Sequence, residues 1–129
     1  LGICLGMQLL GNSSTENGFS EGFNFIDNKV TRFEFKNKNF FRIPHVGFNN
    51  LSKISKNFNL FENISEKDNF YFVHSFRMKL ELNNRIYACC NYEKDFLAAF
   101  QKDNIFGVQF HPEKSQSSGL RLLKNFLNI

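Results

Sequence analysis

The first eight residues, Leu-Gly-Ile-Cys-Leu-Gly-Met-Gln, constrain the fold more than any other stretch. Leu1 to Ile3 read as the end of a buried strand, Cys4 stands between Gly2 and Gly6, and Leu5 to Leu10 begin an apolar helix. A strand, a sharp turn and a helix in so short a space is the thiol form of a nucleophile elbow. There, small neighbours leave room for a residue held in a strained backbone conformation. Cys4 is then expected to project above the sheet edge, at a helix N-terminus whose unpaired N–H groups and dipole favour thiolate over thiol. The N–H of Leu5 is suited to bond an oxyanion. The same pattern also fits a buried structural cysteine in a glycine-flanked turn.

A chain of 129 residues can bury one core and falls short of two ordinary domains. It opens inside a strand without a leading Met, so the expectation is the C-terminal portion of a longer α/β domain, residues 1–129 starting at the elbow. No apolar run approaches the roughly 18 residues that would span a bilayer. The net charge of +4 is scattered and forms no basic block, which argues against a nucleic-acid stripe and leaves room for an anionic ligand or partner. Three cysteines cannot all pair within one chain, which points to a reducing, cytoplasmic setting. The histidines and cysteines show no metal-ligand spacing and no glycine-rich phosphate loop occurs, so neither metal nor cofactor is expected.

Gly11 to Gly22 is rich in turn formers and reads as an exposed loop carrying Glu16. Phe23 to Phe35 suggests strand structure, 37–39 a hairpin turn, and Phe40 to Leu51 two strand pieces around Pro44 and Gly47, with Pro44 at an edge or in a loop. Ser52 to Asp68 carries a weak helical signal, and Phe70 to Phe76 reads as a strand buried on both faces. Arg85 to Tyr92, Phe96 to Lys102 and Ile105 to Phe110 are three strands with short connections, an antiparallel run. After a loop, Ser117 or Ser118 is suited to cap a final helix with Leu120, Leu123 and Leu127 on one face. His74 reads as a hydrogen-bonded core histidine, and His45 as a loop residue suited to contact a partner.

At the end of the last strand stands His111-Pro112-Glu113. Residues two apart in extended chain project to one side, so Glu113 can accept from His111 Nδ1–H, and Pro112 limits the freedom that would separate them. A carboxylate held there selects the tautomer and steadies the imidazolium. His111 could then serve Cys4 as acid and base. Taken alone, the tripeptide reads by default as a solvent-facing histidine at a strand end.

Together, GICLGMQ and GVQFHPEKS resemble the class I, or triad-type, glutamine amidotransferases, in which cysteine, histidine and glutamate hydrolyse the side-chain amide of glutamine. Within that family IPHVGFN, FYFVHSF and HPEKS are most similar to the glutamine-hydrolysing subunits of imidazole glycerol phosphate synthases, enzymes of histidine biosynthesis. The similarity runs from Leu1 to the final helix. It implies an α/β fold of flavodoxin-like type, three layers around a mixed central sheet, whose N-terminal strands are absent from this chain. By position, Cys4 would attack the carboxamide, His111 would protonate departing ammonia and then activate water, and Glu113 would orient His111. Leu5 would supply an oxyanion N–H, and Gln8, Glu16, Ser75 and Phe76 would hold glutamine.

Phe76 stands where the family usually has tyrosine, which leaves only its backbone for that contact. Tyr71 and Lys114 match positions facing the partner, a (β/α)8-barrel cyclase to which ammonia is passed, yielding imidazole glycerol phosphate and AICAR. Phe48 replaces a common tryptophan at that interface. Neither membrane nor nucleic acid enters this reading. The family's glycine-rich oxyanion loop precedes the elbow. A chain without it is expected to be nearly inactive, because losing one such donor costs about 10²- to 10³-fold in rate. The alternatives are the amidotransferase part of a CTP, GMP or anthranilate-type synthase, or a non-catalytic interaction subunit. A cysteine hydrolase of the α/β-hydrolase fold fits less well, because its acid normally precedes the histidine.

Overall fold

A computed structural model of the chain describes residues 1–36, 39–80 and 86–129. In chain order, β1 (Gly2–Ile3) passes through Cys4 into α1 (Leu5–Leu9), followed by β2 (Ser13–Ser14), β3 (Ser20–Glu21), β4 (Lys29–Arg32), β5 (His45–Asn50) and β6 (Lys53–Ile54). Then come β7 (Asn69–His74), β8 (Phe76–Met78), β9 (Ile86–Tyr92), β10 (Lys94–Lys102), β11 (Ile105–Val108) and α2 (Gln116–Leu127). Single 3₁₀ turns occupy Asn59–Phe61 and Pro112–Lys114.

The central sheet runs β1-β11-β10-β9-β6, a second sheet runs β3-β2-β4-β8, and β5 and β7 form a ribbon. β9, β10 and β11 pair antiparallel as their spacing predicts, whereas β1 lies parallel to β11, with Gly2 opposite Gly107 and Ile3 opposite Val108. The architecture is therefore mixed α/β. Both faces of the central sheet are covered. Phe96, Ala98 and Ala99 of β10 face a large aromatic cluster with Phe70, Phe72, Phe110 and Leu122, while Leu97 and Phe100 face a smaller one with Met7, Val30 and Met78. The alternation along β10 breaks where its register with β9 shifts between Leu97 and Ala99.

Several local expectations are corrected by tertiary contacts. Phe23 and Phe25 are exposed and lie outside any strand. The backbone there closes the C-terminal end of α1 instead, with the N–H groups of Phe23 and Ile26 donating to the carbonyls of Leu9 and Leu10. Of the stretch to Phe35, only Lys29–Arg32 is strand. The loop 11–22 holds two short strands, β2 and β3, among its turns. Residues 40–51 form one strand after Pro44, not two pieces. The turn expected at 37–39 falls mostly outside the described residues, as does Arg85. Ser52–Asp68 contains β6 and a 3₁₀ turn in place of an α-helix.

β7 buries Phe70, Phe72 and His74 and leaves Tyr71 and Val73 half-covered, because its strand partner is β5, with a single bridge from Tyr71 to His111, and it lies outside the central sheet. The final helix starts at Gln116, and neither Ser117 nor Ser118 caps it. Its buried face is Ser118, Gly119 and Leu122, while Leu120 and Leu127 are exposed. The phase is set at Gly119, where an added Cβ would overlap the Pro112 carbonyl oxygen. Only glycine permits helix and loop to cross so closely.

His45 is a buried strand residue, which corrects its reading as a loop contact. Its Nδ1 lies 3.0 Å from His74 Nε2, and both rings pack among Phe33, Phe72 and Phe96. Burial lowers both imidazoles, His45 to about 4 and His74 to about 3. Lowered folded values mean that the unfolded chain takes up these protons first. The stability that depends on their neutrality is therefore complete above about pH 6.5 and is lost as pH falls through 4 toward 3. Urea unfolding between pH 7.5 and 5 should lose up to about 1.4 kcal/mol per pH unit for each histidine once below its unfolded value. The His45→Gln/His74→Gln double variant should flatten that slope, and a wild-type profile level down to pH 5 would contradict the assignment.

Candidate active site

The elbow is built as its glycines suggest, with Cys4 at φ 50° and ψ −108°, outside the regions ordinary side chains prefer. The close approach is at Gly2, where an added Cβ would stand 2.7 Å from the Gly6 carbonyl oxygen; at Gly6 a Cβ would meet open space. The Cys4 N–H donates to the Val108 carbonyl at 2.8 Å, extending the β1–β11 pairing by one bond. Burial pushes the Cys4 thiol up, while the Leu5 N–H and the Gln109 side chain pull it down; the net direction is upward. The expectation that the helix start would favour thiolate is corrected. Loss of water around the sulfur is the largest influence, and the Leu5 N–H at the start of α1 offsets it only in part.

Because β1 and β11 are parallel, their C-terminal ends lie side by side, and the residues that follow each strand share one edge of the sheet. Cys4 follows β1 there, and Gln109 to Glu113 follow β11. The Gln109 N–H donates to the Ala98 carbonyl at 2.8 Å and the His111 N–H to the Tyr71 carbonyl at 2.9 Å. His111 Nδ1 lies 2.7 Å from Glu113 Oε1. The pair is closed by the 3₁₀ turn at Pro112–Lys114, not by continued extended chain. A carboxylate accepts, so His111 Nδ1 carries hydrogen and Nε2 is left to take or give a proton. Burial raises the Glu113 carboxyl, but the His111 hydrogen bond, a backbone N–H and the charges of His111 and Lys114 together hold it below the usual carboxylate range.

A cavity of about 350 Å³ opens beside the sulfur, lined by Cys4, Leu5, Gln8, Glu16, Pro44, Val73, His74, Ser75 and Phe76. Every residue that the motifs nominated for oxyanion or glutamine binding is on this wall. Gln8 Nε2 donates to the Phe76 carbonyl at 2.9 Å and to Gln109 Oε1 at 3.0 Å. Larger hollows of about 510 and 660 Å³ elsewhere hold no cysteine or histidine. His111 and Glu113 do not line the cavity. Among the described residues no hydrogen bond joins His111 to Cys4, although the charge of Glu113 acts on the sulfur.

The sequence matches a known family along its whole length: glutamine amidotransferase class-I matches residues 1–129. The chain belongs to the class-I glutamine amidotransferases. Among its relatives are imidazole glycerol phosphate synthase subunit HisH 2 of Methanococcus maripaludis, 48% identical over 98% of this chain and 61% of the relative, and subunit HisH 1 of Campylobacter jejuni, 47% identical over 100% and 62%. Subunit HisH of Salmonella typhimurium is 47% identical over 100% of this chain and 63% of the relative. The chain thus spans about three-fifths of the length of these curated relatives.

Other nominated residues of this amidotransferase chain lie away from the cavity wall. Tyr71 and Lys114 sit together on the outer side of the His111 loop, with Lys114 Nζ 5.9 Å from the Tyr71 ring centroid and Phe48 packed edge-on to Tyr71 at 5.3 Å. Two residues that the motifs did not nominate help to form the site. Gln109 is fully buried and its Nε2 lies 3.7 Å from the Cys4 sulfur. The signal for it was present in the sequence, as a lone amide in the apolar run 105–110.

Ser115 is the other. Its hydroxyl accepts from the Tyr71 N–H at 2.9 Å and donates to the His111 carbonyl at 2.6 Å, tying the histidine's backbone to β7. Ser115→Ala leaves the Tyr71 N–H without its partner in a partly buried setting and takes one of two donors from the His111 carbonyl, which keeps the Lys114 N–H. It should lower the unfolding free energy by about 1 to 3 kcal/mol in urea titrations; an unchanged midpoint would mean that water or a neighbour replaces the hydroxyl.

Proposed function

We propose that this chain hydrolyses glutamine to glutamate and ammonia through Cys4, His111 and Glu113, as part of an imidazole glycerol phosphate synthase in histidine biosynthesis. The observation that carries the proposal is the thiol at a strained elbow, beside a cavity that also holds Gln8, Glu16, Ser75 and Phe76, at the sheet edge where the His111–Glu113 pair emerges.

The chemistry follows from the groups available. Cys4, having given its proton to His111 Nε2, attacks the carboxamide carbon of glutamine, and the tetrahedral oxygen accepts from the Leu5 N–H. The imidazolium, held by Glu113, protonates the departing nitrogen, and ammonia leaves a γ-glutamyl thioester on Cys4. His111 then takes a proton from water, hydroxide adds to the thioester carbon, and collapse returns the thiol and glutamate. The raised Cys4 thiol suits this order of events: the proton is moved by His111 once substrate is bound, and no standing thiolate is needed. Gln8 has both amide hydrogens engaged within the protein, so its Oε1 is the group left to accept from substrate. The Glu16 carboxylate suits the α-ammonium group, and the Ser75–Phe76 backbone suits the other end.

The exposed Val46 and Phe48 beside Tyr71 and Lys114 form an apolar surface with one cation. We read it as the docking face for a cyclase subunit of (β/α)8-barrel fold, which would receive ammonia without release to water and form imidazole glycerol phosphate and AICAR. Three free cysteines suit a cytoplasmic setting.

An electrophilic diazoketone analogue of glutamine tests the proposal. It should add once, at Cys4, in competition with glutamine, leaving Cys89 and Cys90 unmodified by peptide mass spectrometry. Cys4→Ala should abolish both labelling and glutamate release in the assembled enzyme. Labelling at another residue, or glutamate release by the Cys4→Ala protein, would overturn the assignment.

A further inference from the structure

A line of hydrogen bonds crosses this site, and one atom fixes its direction. The Phe76 carbonyl oxygen can only accept. It lies 2.9 Å from Gln8 Nε2 and 2.8 Å from His74 Nδ1, so both nitrogens carry the hydrogen. On the histidine side, His74 Nε2 is left bare and accepts from His45 Nδ1 at 3.0 Å, and His45 Nε2 accepts from Asn49 Nδ2 at 2.7 Å. On the other side, the second amide hydrogen of Gln8 goes to Gln109 Oε1 at 3.0 Å. This turns the Gln109 amide so that its NH2 group, and not its oxygen, meets the Cys4 sulfur at 3.7 Å. A flipped Gln109 would set NH2 against NH2 at Gln8, and would turn toward Cys4 an oxygen that can accept from the thiol but repels the thiolate. Gln109 itself is fully buried, so a mismatch at its amide is costly.

We propose that Gln109 is a positioning residue for the Cys4 nucleophile, delivering to its sulfur an N–H donor whose direction the Phe76 carbonyl imposes through Gln8. The proposal deepens, and rests on, the reading of Cys4 as the attacking group. A donor strengthens when its acceptor becomes charged, so Gln109 holds the thiolate more firmly than the thiol. It thereby works with the Leu5 N–H against burial, which pushes the thiol up. The other charged groups that bear on the sulfur are Glu113, which raises it, and Lys114, which lowers it; Glu16 and His74 line the same cavity. Packing gives no other reason for an amide here, because Val108 and Phe110 on either side are fully buried and apolar.

The test is the pH dependence of iodoacetamide alkylation at Cys4 in the full-length protein, read by peptide mass spectrometry. Cys89 and Cys90 are buried on β9 with thiols pushed up to about 11 and 12, so the neutral-pH signal belongs to Cys4. Gln109→Met keeps the volume and removes the donor, and should raise the alkylation midpoint by about one pH unit. Gln109→Glu puts an anion against the sulfur and should raise it further. Gln8→Met frees the Gln109 amide to turn and should move the midpoint the same way by less; it carries the test if the Gln109 variants fail to fold. Unchanged midpoints in folded variants, with analogue labelling of Cys4 intact, would remove the Gln109 proposal alone. Failure of the glutamine analogue to label Cys4 would remove the glutaminase reading instead, while the iodoacetamide midpoints would still report on Gln109.

Discussion

The site depends on two residue pairs, Gly2 with Gly107 and Ile3 with Val108. This short parallel contact aligns the C-terminal ends of two strands that lie more than a hundred positions apart. Whatever follows each strand must then meet at one edge. An antiparallel pairing would send Cys4 and His111 to opposite edges with their motifs unchanged. The hydrogen bond from the Cys4 N–H to the Val108 carbonyl continues the pairing into the elbow itself, so the strained residue is anchored by the same ladder that brings it to its partner.

The His111 side is held mostly by backbone. Its N–H donates to Tyr71, its carbonyl accepts from Ser115, and the crossing of Gly119 over Pro112 seats the start of α2 beneath the loop. The ring is therefore aimed by main-chain geometry, and Glu113 adds direction and charge. The same economy governs the opposite wall. The Phe76 carbonyl accepts from both Gln8 and His74, so the helix after the elbow and the buried histidine pair are referred to one point on the chain. Neutral histidines serve there because protonated ones would have no counter-charge among aromatic rings.

Electrostatics at the sulfur are a balance in which burial is the largest influence. The donors around it reduce the cost of forming thiolate without removing it, which suits the proposed transfer of the proton to His111 at the moment of attack. Glu113, its carboxyl held low by its partners, opposes a thiolate directly and, in the proposed reaction, would support it by steadying the imidazolium.

Much of this was legible in the residues. The elbow announced itself through Gly2, Cys4 and Gly6, and the β9–β11 run through its short connections, because both are local patterns with local physical causes. Gln8, Glu16, Ser75 and Phe76 were nominated by likeness to a family, and they line one cavity. The phase of α2, the exposure of Phe23 and Phe25 and the burial of His45 were not legible. Each is decided by a surface contributed from elsewhere in the chain: the Pro112 carbonyl, the end of α1, and β7 with its aromatic neighbours. What the sequence by itself determined is the set of reactive groups and the short turns that present them, since backbone strain and residue spacing act over a few positions. What only the tertiary structure decided is their polarity and company. The direction of an amide, the neutrality of an imidazole and the cost of a thiolate depend on the atoms that exclude water around them, and those atoms come from strands remote in the chain.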